Sequence, residues 1–266
     1  MSRRASRVLL VVAALLPAVV ALVVWRPVLD LALLGWDTYP LIGAGRIASL
    51  GDLAGTFTEE LMDGGYPLGR FWRPVVHLSF GLDHALWGMD PSGYHATDLA
   101  LLALCGAALV GVATRLLSRG AWLAPLIGGL LYVLHPVQLE ILPVAARRAE
   151  ALAVLFSLLA LLAQPMTRLA QPLSEQRRGR AWIAGLCCAL AVASKETGAM
   201  ATGFVLALAL ASSQASGWGS RVVTALRAAW PSLLLFGLTF VARFAALGGL
   251  GGSAESSLTA NFAAAP

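Results

Sequence analysis

Long apolar stretches alternate with short polar ones along almost the whole chain. Seven stand out, at roughly 8–33, 94–117, 121–134, 149–164, 181–194, 197–213 and 229–247. Each predicts a helix, and several approach the roughly 20 apolar residues that an α-helix needs to cross a bilayer. The third and fifth fall short of that length, and each ends in a polar motif, HPVQLE and SKET. Short apolar helices of this kind either end within the outer layer of a membrane or continue as irregular backbone that lines a cavity. Two such endings in one chain predict a wet pocket where they meet.

The first two stretches are separated by a long connection, 36–93. Ordered connections of that length are usually functional. Within it, IASLGDLAGTFTEEL predicts a short amphipathic helix. RFWRPVVHLSFGLDHALWG is rich in Trp, Phe and Arg, which suits a helix lying at a membrane interface. No internal repeat is visible. The N-terminus, MSRRASRVLLVVAALLPAVVALVVW, opens like a signal peptide. Its apolar run exceeds the usual h-region of about 7–15 residues and no A-x-A site follows, so it is expected to stay as an uncleaved first helix.

Composition points the same way. Of 266 residues, 58% are hydrophobic and 12% charged, with a mean hydropathy of +0.77. Soluble domains carry roughly 25% charged residues. The expected class is therefore an all-α polytopic membrane protein of about seven helices. The net charge of +5 does not require nucleic acid, because basic excess in membrane proteins collects in cytoplasmic loops. Arg3, Arg4 and Arg7 precede the first stretch and place the N-terminus in the cytoplasm. Alternation then gathers Arg115, Arg119, Arg168, Arg177, Arg178, Arg180, Arg221 and Arg227 on the cytoplasmic side, opposed only by Glu175. The other side collects Asp37, Asp52, Glu59, Glu60, Asp63, Asp83, Asp90, Asp98, Glu140, Glu150, Glu196 and Glu255. Cys105, Cys187 and Cys188 sit inside apolar stretches and read as small core residues. His77, His84, His95 and His135 show no zinc spacing.

Four polar clusters share the acidic face: Trp36-Asp37-Thr38-Tyr39, the segment from Arg73 to Asp98, HPVQLEILPVAARRAE, and SKET. Ionisable groups at membrane depth are costly and usually mark function. Each cluster also has a structural reading. Asp37 could cap a helix. Arg73-Pro74 could start one. His135-Pro136 could end the third stretch. Arg148 and Glu150 are two apart and so do not face each other on a helix. Lys195-Glu196 is harder to explain structurally, because it sits between two apolar stretches and needs an anionic partner or a water-filled site. No phosphate-binding loop, dinucleotide motif, zinc signature or Ser–His–Asp order is present.

Taken in order, WDTYPLI, RPVVHLSFGLDHALWGMDPSGYHATD, LHPVQLEILPVAARRAEALA and SKETG resemble the integral-membrane glycosyltransferases of the GT-C type. The similarity is nearest to the O-mannosyltransferase-like proteins that often carry C-terminal tetratricopeptide repeats. Those proteins show a W-D-D-Y-like start, Y-R-P-L, G-L-x-P-x-x-x-H-x-x-N, H-P-V-x-x-E, G-R-x-D and S-K-E. The resemblance covers roughly 35–198.

This resemblance implies inverting transfer of a monosaccharide, mannose among the options, from a polyprenyl-phosphate donor to an acceptor hydroxyl on the non-cytoplasmic face. The acceptor could be a protein, a glycan or a lipid. Asp37 matches the family's first-loop acid, a general base or a metal-associated carboxylate, so no cofactor is implied beyond an optional divalent metal. Arg148 and Lys195 are the expected donor-phosphate ligands. Arg73, His95, His135, Glu140, Glu150 and Glu196 occupy further motif positions. The chain departs from the pattern at Thr38, where a second acid is common, at Asp98 for Asn, at Arg147 for Gly and at Glu150 for Asp. The expected setting is a bacterial inner membrane with the site on its periplasmic or outer face. Family members are longer, so 1–247 is expected to be the catalytic module and 248–266 a flexible tail leading to a further portion. A non-catalytic relative and a transporter are the rival readings; the absence of an inverted repeat and the long outer loop weigh against the transporter.

Overall fold

The computed structural model describes residues 3–64, 69–117, 122–166, 175–249 and 251–253. Of the charges assigned above, Arg119, Arg168 and Glu255 lie outside the described residues, as do the side chains of Arg3, Arg4, Arg7, Asp63, Glu175 and Arg177 and the tail beyond 253.

The described residues form eleven α-helices: α1 Arg3–Val24, α2 Thr38–Ala44, α3 Leu50–Thr58, α4 Pro74–Trp87, α5 Pro91–Leu116, α6 Leu123–Val133, α7 Gln138–Ile141, α8 Arg148–Ala163, α9 Glu175–Ser194, α10 Met200–Ser212 and α11 Trp218–Leu247. Each apolar stretch is helical, as α1, α5, α6 and α8–α11. Their ends differ from the hydropathy boundaries for local reasons. α1 stops at Val24, and Arg26–Asp30 form a 3-10 turn with proline in its first positions, because Pro27 has no amide hydrogen to continue the α-helical ladder. α9 begins at Glu175, earlier than its apolar stretch, since Glu, Gln and Arg are good helix formers though not membrane residues. Two helices, α5 and α11, are long and apolar enough to cross a bilayer. α6 is short and closes at His135-Pro136.

Long-range hydrogen bonds fix how the helices run. At one end, Arg115 near the C-terminus of α5 donates to the carbonyls of Leu161, Leu162 and Gln164 at 2.5–2.8 Å. Arg180, early in α9, reaches the Leu162 carbonyl at 3.0 Å. These bonds satisfy carbonyls that the end of α8 leaves without helical partners. At the other end, Trp25 Nε1 donates to the Val133 carbonyl at 2.8 Å, so the ends of α1 and α6 lie together. α9 presents Ala181, Ala184, Cys188 and Ala191, all buried, to its neighbours, and small residues let helix backbones approach closely. The three cysteines are free and buried.

The 36–93 connection is built from α2, α3 and α4. Ser49 and Asp52 form a reciprocal capping box on α3. Pro74 occupies the first turn of α4, and Asp90 caps α5 by accepting from the Ser92 amide at 3.0 Å. A two-residue antiparallel pairing of Gly69-Arg70 with Gly252-Ser253 ties this connection to the segment after α11.

Candidate active site

Asp37 reaches the site because the chain turns at Gly35, whose φ of +93° places it in the left-handed region. A Cβ there would also lie 2.9 Å from Val144 Cγ1. Asp37 and Thr38 then part company. Thr38 is fully buried and donates to the Leu34 carbonyl at 2.5 Å. Asp37 occupies the N-cap position of α2, yet its side chain makes no capping hydrogen bond. Asp37 instead lines a cavity of about 660 Å³ together with Trp36, Arg73, Glu140, Arg147, Glu150 and Lys195. The first cluster, the α4 start, the HPVQLE segment, the start of α8 and SKET thus meet in one place.

Two of the cavity's cations are already compensated. α9 ends at Ser194, and Lys195 is in extended conformation. Its Nζ contacts Glu150 Oε1 at 2.5 Å. The turn that follows rests directly on α9: a Cβ on Gly198 would lie 2.1 Å from the Ala191 carbonyl oxygen, so only glycine fits there. Arg73, immediately before α4, donates to Glu196 Oε2 at 2.8 Å and lies 4.6 Å over the Phe71 ring. Glu196 is held from the far side by Arg243 of α11, Nη1 to Oε1 at 2.9 Å. Burial raises the pKa of Glu196, but the charges and hydrogen bonds of Arg73, with help from Arg243, outweigh it and leave the carboxyl below its ordinary 4.5. A depressed folded-state pKa contributes stability that is complete above the unfolded value and is lost as pH falls through the folded one. The melting-temperature difference between wild type and Glu196→Gln is therefore expected to be full above about pH 4.5 and to close at lower pH. A difference independent of pH would contradict this ion-pair role.

Arg148 does not reach the cavity. Its guanidinium is fully buried beneath it, 2.6 Å from Asp83 and 2.6 Å from Asp98, with a further bond to the Tyr94 carbonyl at 3.1 Å. The Phe80 ring lies 4.6 Å away, and Thr97 donates to Asp83 at 2.8 Å. The expected phosphate ligand is thus committed to joining α4, α5 and α8. His95 is also fully buried, with Nε2 3.4 Å from the Ala32 carbonyl. His135 is exposed and accepts the Val137 amide on Nδ1 at 3.1 Å, holding the turn after α6. Neither histidine lines the cavity.

Sequence reasoning placed Asp83 on the acidic face and Arg147 at the family's glycine without giving either a role in the site, and it missed Arg243. The doubled arginine at 147–148 carried the signal for Arg147. Successive helical residues point about 100° apart, so when one faces the interior the other turns outward.

A second, mostly apolar pocket of about 260 Å³ adjoins the cavity. Leu102, Tyr132, Val137, Ile141, Leu142 and Val154 form most of its walls, the buried Arg148–Asp98 pair and Gln138 border it, and Glu150 lines both spaces. Among the described residues no group of three or more His, Cys, Asp or Glu side chains could hold a metal ion.

Over 129 residues the chain is 32% identical to the human Protein O-mannosyl-transferase TMTC2, covering 48% of this chain and 15% of that protein. The mouse Protein O-mannosyl-transferase TMTC2 is 34% identical over 133 residues, and mouse Protein O-mannosyl-transferase TMTC1 is 35% identical over 93 residues. The matched stretches span only 10–15% of the relatives' own lengths. No protein-family model matches the chain, and no solved structure does. The similarity to O-mannosyltransferase-like proteins read from the ordered motifs is the similarity these matches have.

Proposed function

We propose that residues 1–247 form a polytopic membrane module that transfers mannose from a polyprenyl-phosphate donor to an acceptor hydroxyl, inverting the anomeric centre. The relatives' names supply the mannosyl transfer and the protein acceptor. The observation that carries the donor assignment is the shared wall at Glu150. On one side lies a polar cavity holding Asp37 and three cationic side chains. On the other lies an apolar pocket. An amphiphile with a charged headgroup and an isoprenoid tail matches that pair of spaces, and a nucleotide sugar does not.

In this mechanism Asp37 accepts the proton of the attacking hydroxyl. The new bond from the acceptor oxygen to the anomeric carbon forms as the bond to the phosphate oxygen breaks. Negative charge then builds on the leaving phosphate, and the cavity's cations stabilise it. The low dielectric of a membrane-bordered site strengthens each of these interactions. The acidic end of the bundle faces away from the cytoplasm in this reading, consistent with the arginines at the opposite helix ends. The test is donor choice. The chain in liposomes is expected to transfer label from polyprenyl-phosphate mannose to a Ser/Thr peptide. Transfer from a nucleotide-mannose alone would overturn the reading.

A further inference from the structure

We propose that Arg147, a residue that replaces the family's glycine, is the side chain that receives the donor's anionic headgroup. The inference rests on the donor reading above and assigns one residue within it. Three cations line the cavity. Lys195 is already in contact with Glu150, and Arg73 with Glu196. A phosphate that took Lys195 would strip Glu150 of its cation, and one that took Arg73 would leave Glu196 to Arg243 alone, so either exchange gives up an existing ion pair. Arg147 is exposed and, among the described residues, forms no ion pair. Its charge meets an incoming anion without displacing anything. The planar guanidinium matches phosphate oxygens with two parallel N–H donors.

The setting reinforces the charge. Arg147 sits at the N-terminus of the 16-residue α8, which no side chain caps. The positive end of the helix dipole therefore adds to the arginine on the same wall, to which Ala146 and Glu150 also belong. Arg148, the neighbouring arginine, is held by Asp83 and Asp98 and does not line this cavity, so the tandem divides into one ion-paired and one unpaired residue.

The test is equilibrium binding of radiolabelled farnesyl phosphate to the full chain in detergent, with uncharged farnesol and inorganic phosphate as competitors. Size-exclusion profiles confirm that each variant is folded. Arg147→Ala is expected to weaken farnesyl phosphate binding about tenfold or more, the scale of losing charge-assisted hydrogen bonds. Arg147→Lys should restore part of it. Arg227→Ala, which removes an equal charge from the exposed face of α11, should leave binding unchanged. Farnesol competition should be equal in wild type and Arg147→Ala, while competition by inorganic phosphate should weaken in the variant. If wild type binds farnesyl phosphate and Arg147→Ala binds it within twofold, the assignment is overturned and the donor reading stands. If wild type shows no saturable farnesyl phosphate binding, the donor reading falls and this assignment falls with it.

Discussion

Asp37→Asn is expected to reduce sugar transfer by about 10²–10⁴-fold, the range that a positioned general base supplies, while leaving the protein folded. The amide keeps the shape of the carboxylate and cannot accept the acceptor's proton. Folding should survive because Asp37 makes no side-chain capping bond to α2, and Asn is as good as Asp at an N-cap. The bond that holds this corner is the one from Thr38 to the Leu34 carbonyl, which the substitution leaves intact. Initial transfer rates and thermal unfolding, measured on one preparation, separate the two effects. A folded Asp37→Asn protein with full activity would remove Asp37 from the mechanism.

The second large effect is on stability. Arg148→Met is expected to cost about 3–5 kcal/mol, the usual consequence of stranding buried charges, because it leaves Asp83 and Asp98 facing each other with no cation. Most of the loss should be recovered in Asp83→Asn/Asp98→Asn/Arg148→Met, which removes all three charges together. Extraction yield and unfolding in mild detergent report both outcomes. An Arg148→Met protein as stable as wild type, with impaired donor binding alone, would restore Arg148 to the role its motif position suggested.

The contrast between these residues shows what hydropathy and motif spacing can and cannot locate. The helices were legible because each apolar stretch is bounded by proline, glycine or charge. HPVQLE and SKET each interrupt a short apolar helix, and Glu140 and Lys195 from those interruptions line one cavity. The rotation of each helix about its own axis was not legible. A list of outer-face charges contains Asp83, Asp98, Arg148 and Glu150 alike. Only the packing of α4 and α5 on α8 sends Arg148 inward to the first two and leaves Glu150 to Lys195. Arg243 was hidden for a related reason. It lies in an apolar helix near the end of the described chain, and its partner Glu196 is 47 residues away. Ion pairs that join distant segments depend on register, which no local pattern records.

The anomeric configuration of the product tests the central claim most directly. The chain in liposomes would be supplied with polyprenyl-phosphate mannose of defined configuration and a Ser/Thr peptide, and the mannosyl peptide analysed by NMR. A single displacement assisted by Asp37 predicts a product of configuration opposite to the donor, with one polyprenyl phosphate released per mannose transferred. Retained configuration, or mannosyl peptide formed without release of polyprenyl phosphate, would contradict the account.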